Sequence, residues 1–255
     1  MKAVAIIREV PDTEAVLNIA GDGKTIDMSG VKFIINPYDE YAIEEAALLA
    51  ENNGAESYLI AVGGADMTKN IRSAIAKGAN KKGDIAFKEV RHLIVDGTME
   101  SNSLAEKLAE EVKSIGADVV FLGKQYIDND DYLLGPFLAN KLEANCVTVV
   151  TQTEYADGSV SVNREIEGGA EAIDVAFPAV VTLQKGVNEP RYAGMKGIMK
   201  AKKVAIDSKE ISMDNNVLEV VSYELPPAKA PGRVIDGDNA VSELVDALKN
   251  EAKVL

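Results

Sequence analysis

Tryptophan is absent from the 255-residue chain, and cysteine and histidine occur once each, as Cys146 and His92. A single Cys excludes a disulfide framework within the chain. One Cys and one His also cannot build a zinc site of the usual nitrogen and sulfur ligands. Hydrolase triads lack support, since no second His accompanies His92 and no G-x-S-x-G elbow is present. At the start of the apolar run HLIV, His92 reads as structural. Aromatic residues make up only 5%, too few for a platform that stacks single-stranded bases. Positive charge is scarce as well: 27 Lys and Arg face 41 Asp and Glu, a net charge of -14, which disfavours a broad basic face for phosphate backbones. No window of 18 apolar residues predicts a spanning helix, and the opening run in MKAVAIIREV is too short for a secretory signal. The expectation is a cytoplasmic protein of a reducing compartment, with no nucleic acid as partner, no metal and no membrane insertion.

What is present is apolar content enough for a sizeable core, 47% of residues, with strand and helix signals in alternation. AVAIIREV, SYLIAVGG, HLIVDG and the near-continuous apolar DVVFLG read as buried strands. Between them, VKFIINPYDEYAIEEAALLAEN reads as a strand, a turn and a helix, with Asn36 as N-cap, Pro37 as first helical residue, and Ile43, Ala46, Ala47 and Ala50 on one face. A helix over about 67–77 stops at Gly78. Another starts from Ser101 or Ser103, carries Leu104, Leu108, Val112 and Ile115 as a stripe, and stops at Gly116. A further helix runs to about Leu142, and a hairpin turns at Asp157–Gly158. This alternation predicts an α/β fold: an open parallel sheet with helices on both faces, plus a β-hairpin.

Residues 1–186 form the predicted α/β domain, and 187–255 a segment of another kind. That segment holds the basic stretch VNEPRYAGMKGIMKAKK, a polar stretch from Asp207 to Asn216, a strand at VLEVVSYEL, the Pro-rich PPAKAPGR and an amphipathic helix with Val241, Leu244 and Leu248 on one face. Such a tail has no core of its own. It is expected to lie as an extended C-terminal arm on the main domain or on another chain.

On a parallel sheet, ligands sit at the carboxyl ends of the strands. The first strand lacks both G-x-G-x-x-G and a P-loop, which disfavours a Rossmann dehydrogenase or P-loop nucleotidase. The better candidate is the loop of FLGKQYIDNDDYLLGPFLANKL, where a strand end meets a helix start. Its acidic residues allow three readings: helix caps, ribose ligands, or groups that repel a phosphate. INPYDE, at a neighbouring strand end, is a second candidate that would close around a base. The basic stretch reads as a solvated helix or as a docking surface whose methionines adapt to a partner.

FPAVVTLQKGVNEPRYAGMKGIMKAKK, together with VKFIINPYDEYAIEEAALLAE, FLGKQYIDND and SVNREIEGG, resembles the signature regions of electron transfer flavoprotein beta subunits, in the right order over most of the chain. The resemblance implies an adenine-nucleotide-hydrolase-like α/β fold and a heterodimer with a larger alpha subunit that carries most of an FAD. It implies an electron carrier without catalytic residues of its own, serving partner flavin dehydrogenases such as those acting on acyl-CoA. It also implies a structural AMP in this chain or, in electron-bifurcating members, a second FAD. The nucleotide site carried over comprises Ile6, Asn36, Pro37, Tyr38, Asp39 and Gly64, the loop Gly123, Lys124, Gln125, Tyr126, Ile127, Asp128, Asn129 and Asp130, and Asp131, Tyr132, Leu133 and Leu134 entering the helix. The partner-recognition element maps onto Tyr192, Ala193, Gly194, Met195, Lys196, Gly197, Ile198, Met199 and Lys200, with Met195 where the family commonly has Leu.

The run DYLLGP departs from both family patterns, because Leu133 and Leu134 offer no hydroxyl or amide to a phosphate. AMP is favoured over FAD because the bifurcating run is absent, with an empty or differently filled site as a third reading. A bifurcating component and a nucleotide-binding regulatory module of the same fold stand as rival readings.

Overall fold

The computed structural model describes residues 1–97, 99–213, 218–229 and 231–255. Strand β1 (Lys2–Pro11) is buried along all but its first residue. Its alternating side chains feed two separate cores: Ala3, Ala5 and Ile7 enter one, and Val4, Ile6 and Val10 the other. Two short pieces, β2 (Asn18–Ile19) and β3 (Ile26–Asp27), precede β4 (Phe33–Ile35). The chain then runs α1 (Asp39–Asn53), β5 (Glu56–Gly63), α2 (Thr68–Lys77), β6 (Phe87–Ile94), α3 (Ser101–Ile115), β7 (Val119–Gly123) and α4 (Leu134–Leu142). It continues through β8 (Asn145–Ala156), β9 (Ser159–Ile166), β10 (Gly169–Ala176), β11 (Ala179–Leu183), α5 (Met195–Ala201), β12 (Asp207–Glu210) and α6 (Ala240–Asp246).

The main sheet has the order β10-β9-β8-β11-β7-β1-β5-β6-β12. From β8 to β12 every neighbouring pair is parallel, and β9 and β10 extend the β8 edge in antiparallel pairing. Helices α1 and α2 cover one face through Ile43, Leu49, Ile71 and Ile75. Helices α3 and α4 cover the other through the expected stripe Leu104, Leu108, Val112 and Ile115, joined by Leu134 and Leu138. Each such buried side chain contributes about 1.5–3 kcal/mol. The chain leaves β1 toward β5 on one side and returns to β7 on the other, so the strand order reverses between β1 and β7. The carboxyl ends of those two strands form the crevice that parallel sheets use for ligands.

Several local expectations change. Strand β4 joins the carboxyl end of β1 in antiparallel pairing and stands outside the main order, because only Phe33–Ile35 pair before Asn36 turns the chain. Helix α1 begins at Asp39, so Asn36 is not its N-cap and Pro37 is not its first residue; Asn36 spends its side chain elsewhere. The N-cap of α3 is Glu100, whose carboxylate accepts the Asn102 and Ser103 N–H groups, while Ser101 is already helical. Gly116 does end that helix, with φ of 70°, a conformation that suits a residue without Cβ. Strand β10 was not expected from its exposed, Gly- and Glu-containing sequence. It pairs along its whole length with β9, beyond the hairpin that turns at Asp157–Gly158 as predicted.

The chain divides into two compact units, residues 1–18 with 26–220, and residues 19–25 with 221–255. The basic stretch and α5 therefore belong to the larger unit. Within the polar stretch, Asp207–Glu210 forms an edge strand beside β6, while residues 214–216 lie outside the described residues. The strand predicted at VLEVVSYEL begins at Val217, also outside them, and residues 218–225 form no strand. Ala230 of PPAKAPGR is likewise outside the described residues. In the smaller unit the terminal helix is shorter than predicted: α6 gives way to a wider π turn over Ala247–Glu251. Val221, Leu225, Val234 and Val241 of this unit are between 72% and 92% exposed. No helix among the described residues is long and apolar enough to cross a membrane.

Candidate functional site

At the crevice, Asp39 is the hub. Its carboxylate is fully buried and accepts two backbone N–H groups, from Arg8 at 2.8 Å and from Gly123 at 2.8 Å. It thereby ties α1 to both strands that flank the switch point. Burial pushes its pKa up to about 7, and the hydrogen bonds from the Arg8 and Gly123 backbones oppose that rise. Gly123 has to lack a side chain, since a Cβ there would sit 2.6 Å from the Asp39 Oδ1 and 2.6 Å from the Tyr38 Cβ.

Asn36, also fully buried, reaches across to the loop after β7. Its amide donates to the Gln125 carbonyl at 2.9 Å, and its oxygen accepts the Ile127 N–H at 3.4 Å. The loop closes on itself where the Tyr126 N–H donates to the Asp131 carbonyl and the Asp131 N–H returns to Tyr126. Asp130 adopts a positive φ of 56° inside that closure. The acidic side chains are engaged locally: Asp130 accepts from Gln125, Asp131 accepts from Ser101 and from the Leu133 N–H, and Asp128 pairs with Arg8. Asp131 accepts the N–H of Leu133, two residues on, in a local turn that leads into α4, whose N-cap is Leu133 without a side-chain cap. Lys124 sits with its ammonium 5.1 Å from the Tyr38 ring and 5.9 Å from the Tyr132 ring.

The structure thus brings Asn36, Tyr38, Asp39, Gly123, Lys124, Gln125, Tyr126, Ile127, Asp128, Asp130, Asp131 and Tyr132 into one cluster. Ile6 and Leu134 lie beneath it as core residues. Gly64 follows the neighbouring strand β5, against Asp66 rather than the loop. Pro37, Asn129 and Leu133 are exposed at the surface.

Arg8 was missed. It is 1% exposed, and its guanidinium lies 4.1 Å from the centre of the Tyr126 ring. Its Nε and the Tyr126 hydroxyl are buried without a protein partner among the described residues. The signal was a charge inside the apolar run AIIREV, where a buried cation needs a reason.

The basic stretch lies elsewhere on the same unit. Tyr192 is 96% exposed, Met195 77% and Met199 67%, interleaved with Lys196 and Lys200. Only Gly197 and Ala201 of α5 are buried, and Ala193 packs against the core. Arg191, immediately before, donates to Glu44 at 2.7 Å and to Glu51 at 2.5 Å. Glu44 is among the buried residues of α1. Removing one partner of a buried pair costs about 3–5 kcal/mol, because the other charge is left without compensation.

A parallel α/β protein with a closed polar loop over its switch point, and an exposed Met- and Lys-bearing helix elsewhere on the same unit, is the class these features define. The electron transfer flavoprotein domain matches residues 23–213. The electron transfer flavoprotein subunit beta of Bacillus subtilis is 35% identical, with the whole of both chains covered. The subunit beta of Bradyrhizobium diazoefficiens is 34% identical over all of both chains, and that of Sus scrofa is 33% identical over all of this chain and 99% of its own. The chain belongs to the electron transfer flavoprotein family, on its beta-subunit side.

Proposed function

We propose that this chain pairs with a larger, FAD-bearing alpha subunit, and that the heterodimer carries electrons from partner flavin dehydrogenases, such as those acting on acyl-CoA, to a downstream acceptor. The flavin supplies the redox chemistry when bound, and this chain supplies docking and a frame. The observation that carries the reading is the exposed set Tyr192, Met195 and Met199, interleaved with Lys196 and Lys200 on a protein of net charge -14. A small apolar set among lysines suits a partner with an apolar hollow bordered by carboxylates. Such contacts form and part quickly, as electron transfer requires. A cytoplasmic location accompanies this reading, in keeping with a lone cysteine.

The crevice at β1 and β7 is proposed to hold a structural AMP. The residues present fit such a group: Arg8 Nε and the Tyr126 hydroxyl are buried and unpartnered, and Lys124 offers a cation between two aromatic rings. Asn36, Tyr38 and the closed loop 123–131 would hold it, and the loop carboxylates are already engaged by neighbours. AMP is preferred to a second FAD because DYLLGP lacks the bifurcating run.

The docking reading is tested with Met195→Glu in the assembled heterodimer. A carboxylate there should lower the second-order rate of reduction by the dehydrogenase about tenfold or more, with the heterodimer intact. Unchanged partner kinetics would remove α5 from the docking surface.

A further inference from the structure

The segment 188–204 is bound to the fold at both ends and in its middle, and Lys200 reaches Asp84 at 2.8 Å, while Tyr192, Met195 and Met199 stand mostly in solvent. At the front end, the Asn188 amide donates to the Tyr41 carbonyl at 3.1 Å and to Glu45 at 2.7 Å. Glu45 is fixed in turn by the Thr153 and Tyr155 hydroxyls, at 2.5 and 2.6 Å. Arg191 forks onto Glu44, with its Nε donating at 2.8 Å and its Nη2 at 2.7 Å, and its Nη1 reaches Glu51. In the middle, Gly197 lies so close to α2 that a Cβ would stand 2.9 Å from the Ala76 carbonyl oxygen and 2.9 Å from the Ala79 Cβ. At the far end, Arg72 donates to the Ala201 carbonyl at 2.6 Å and also to the Val204 carbonyl. It thereby satisfies the end of a helix that has only a solvent-side Lys202 as cap.

We propose that Arg191 and Arg72 are positioning residues. They fix the two ends of this segment so that Tyr192, Met195 and Met199 stand as one prearranged set before any partner arrives. The inference rests on the docking reading above. Its physical basis is the cost of ordering on association: a surface already held in its bound shape loses less freedom when it docks. Arg191 suits the task because a planar guanidinium can bind two carboxylates in fixed directions, which an ammonium cannot. Glu44 and Glu45 would otherwise be buried carboxylates on α1 with no reason to face inward.

The test uses the assembled heterodimer as the varied substrate of its dehydrogenase, with two measurements on each variant. Arg191→Met should raise KM for the heterodimer about tenfold while the limiting rate stays within about twofold, since docking geometry and not flavin chemistry is disturbed. Arg191→Lys should recover part of that loss. Arg72→Met, at the other end, should act in the same direction if the first variant folds poorly. Tryptic cleavage after Lys196 and Lys200 should speed up in both Met variants but not in Met195→Glu. Unchanged cleavage in both Met variants overturns the positioning role, as does a limiting rate that falls in step with 1/KM. Faster cleavage with KM unchanged, alongside a silent Met195→Glu, supports the clamp and instead removes the docking reading.

Discussion

The Asp39 carboxylate at the start of α1 accepts the N–H of Gly123 at the end of β7 at 2.8 Å, across a gap that leaves no room for a Cβ. The pair joins helix to sheet at the switch point and sets how close the α1 N-terminus comes to the loop 123–131. Substitution at either residue probes that join.

Asp39 should give the protein a pH-dependent stability of known sign. Its folded pKa is raised from 3.8 to about 7, so between those values the folded state holds a proton that the unfolded state has released. Stability from this group is therefore full below the unfolded value, and is lost as pH rises toward about 7, by at most about 1.4 kcal/mol per pH unit. Urea unfolding of the protein and of Asp39→Asn from pH 4.5 to 8 should show a flatter profile in the variant. Parallel profiles would mean that Asp39 is ionised throughout.

Gly123→Ala should destabilise the fold by about 1–3 kcal/mol, as overpacking at a tight backbone contact does. A Cβ there meets the backbone carbon of Tyr38 at 2.8 Å as well as two side-chain atoms. Since backbone cannot rotate away, neither α1 nor β7 has a cheap response. A chemical-denaturation midpoint equal to that of the parent would show that α1 can shift outward freely.

Heating the purified heterodimer and identifying the released nucleotide by mass spectrometry should yield AMP in stoichiometric amount with the chain. Tyr126→Phe should weaken its retention if the buried hydroxyl faces the ligand, by roughly 1 kcal/mol, the worth of one neutral hydrogen bond. Release of a second FAD, or of no nucleotide, would reject the AMP assignment.

Deleting residues 237–255 should weaken the association of the two subunits without unfolding the larger unit of this chain. The deleted part includes Val241, Leu244 and Val245, which are 78%, 48% and 48% exposed. Exposed apolar side chains spaced along a helix are suited to burial against another chain. Sedimentation equilibrium of the truncated pair would show the effect as a raised dissociation constant. Undiminished affinity would place the arm's contacts elsewhere.

The fold was largely legible because its signals are local. The apolar runs of β1 and β7, the α3 stripe and the Gly116 stop each arise from a few neighbouring residues. What the sequence hid depends on distant partners. Asn36 looked like a cap because Asn at a helix start usually is one; it serves Gln125, 89 positions away. Arg8 drew no reading from its strand, and its partner Tyr126 lies more than a hundred positions away in sequence. β10 carries almost no apolar periodicity, and only its pairing with β9 makes it a strand. VLEVVSYEL has the composition of a strand, yet residues 218–225 have no ladder to join. The loop was legible from its place between a strand end and a helix start, and the basic stretch from its charge, with the resemblance adding their roles, whereas the anchors Glu44, Arg72 and Arg191 had no sequence signal beyond charges in otherwise ordinary helices and loops.

The arrangement around α5 also separates what can change from what cannot. Tyr192, Met195 and Met199 touch solvent over most of their surface, so exchanging them alters folding stability by about 0.5 kcal/mol or less. Glu44, Arg191 and Gly197 beneath them have no such latitude. Under the docking reading proposed above, a lineage of such chains could try new tips on an unchanged mount, and exchange one partner for another through one or two substitutions without passing through a misfolded ancestor.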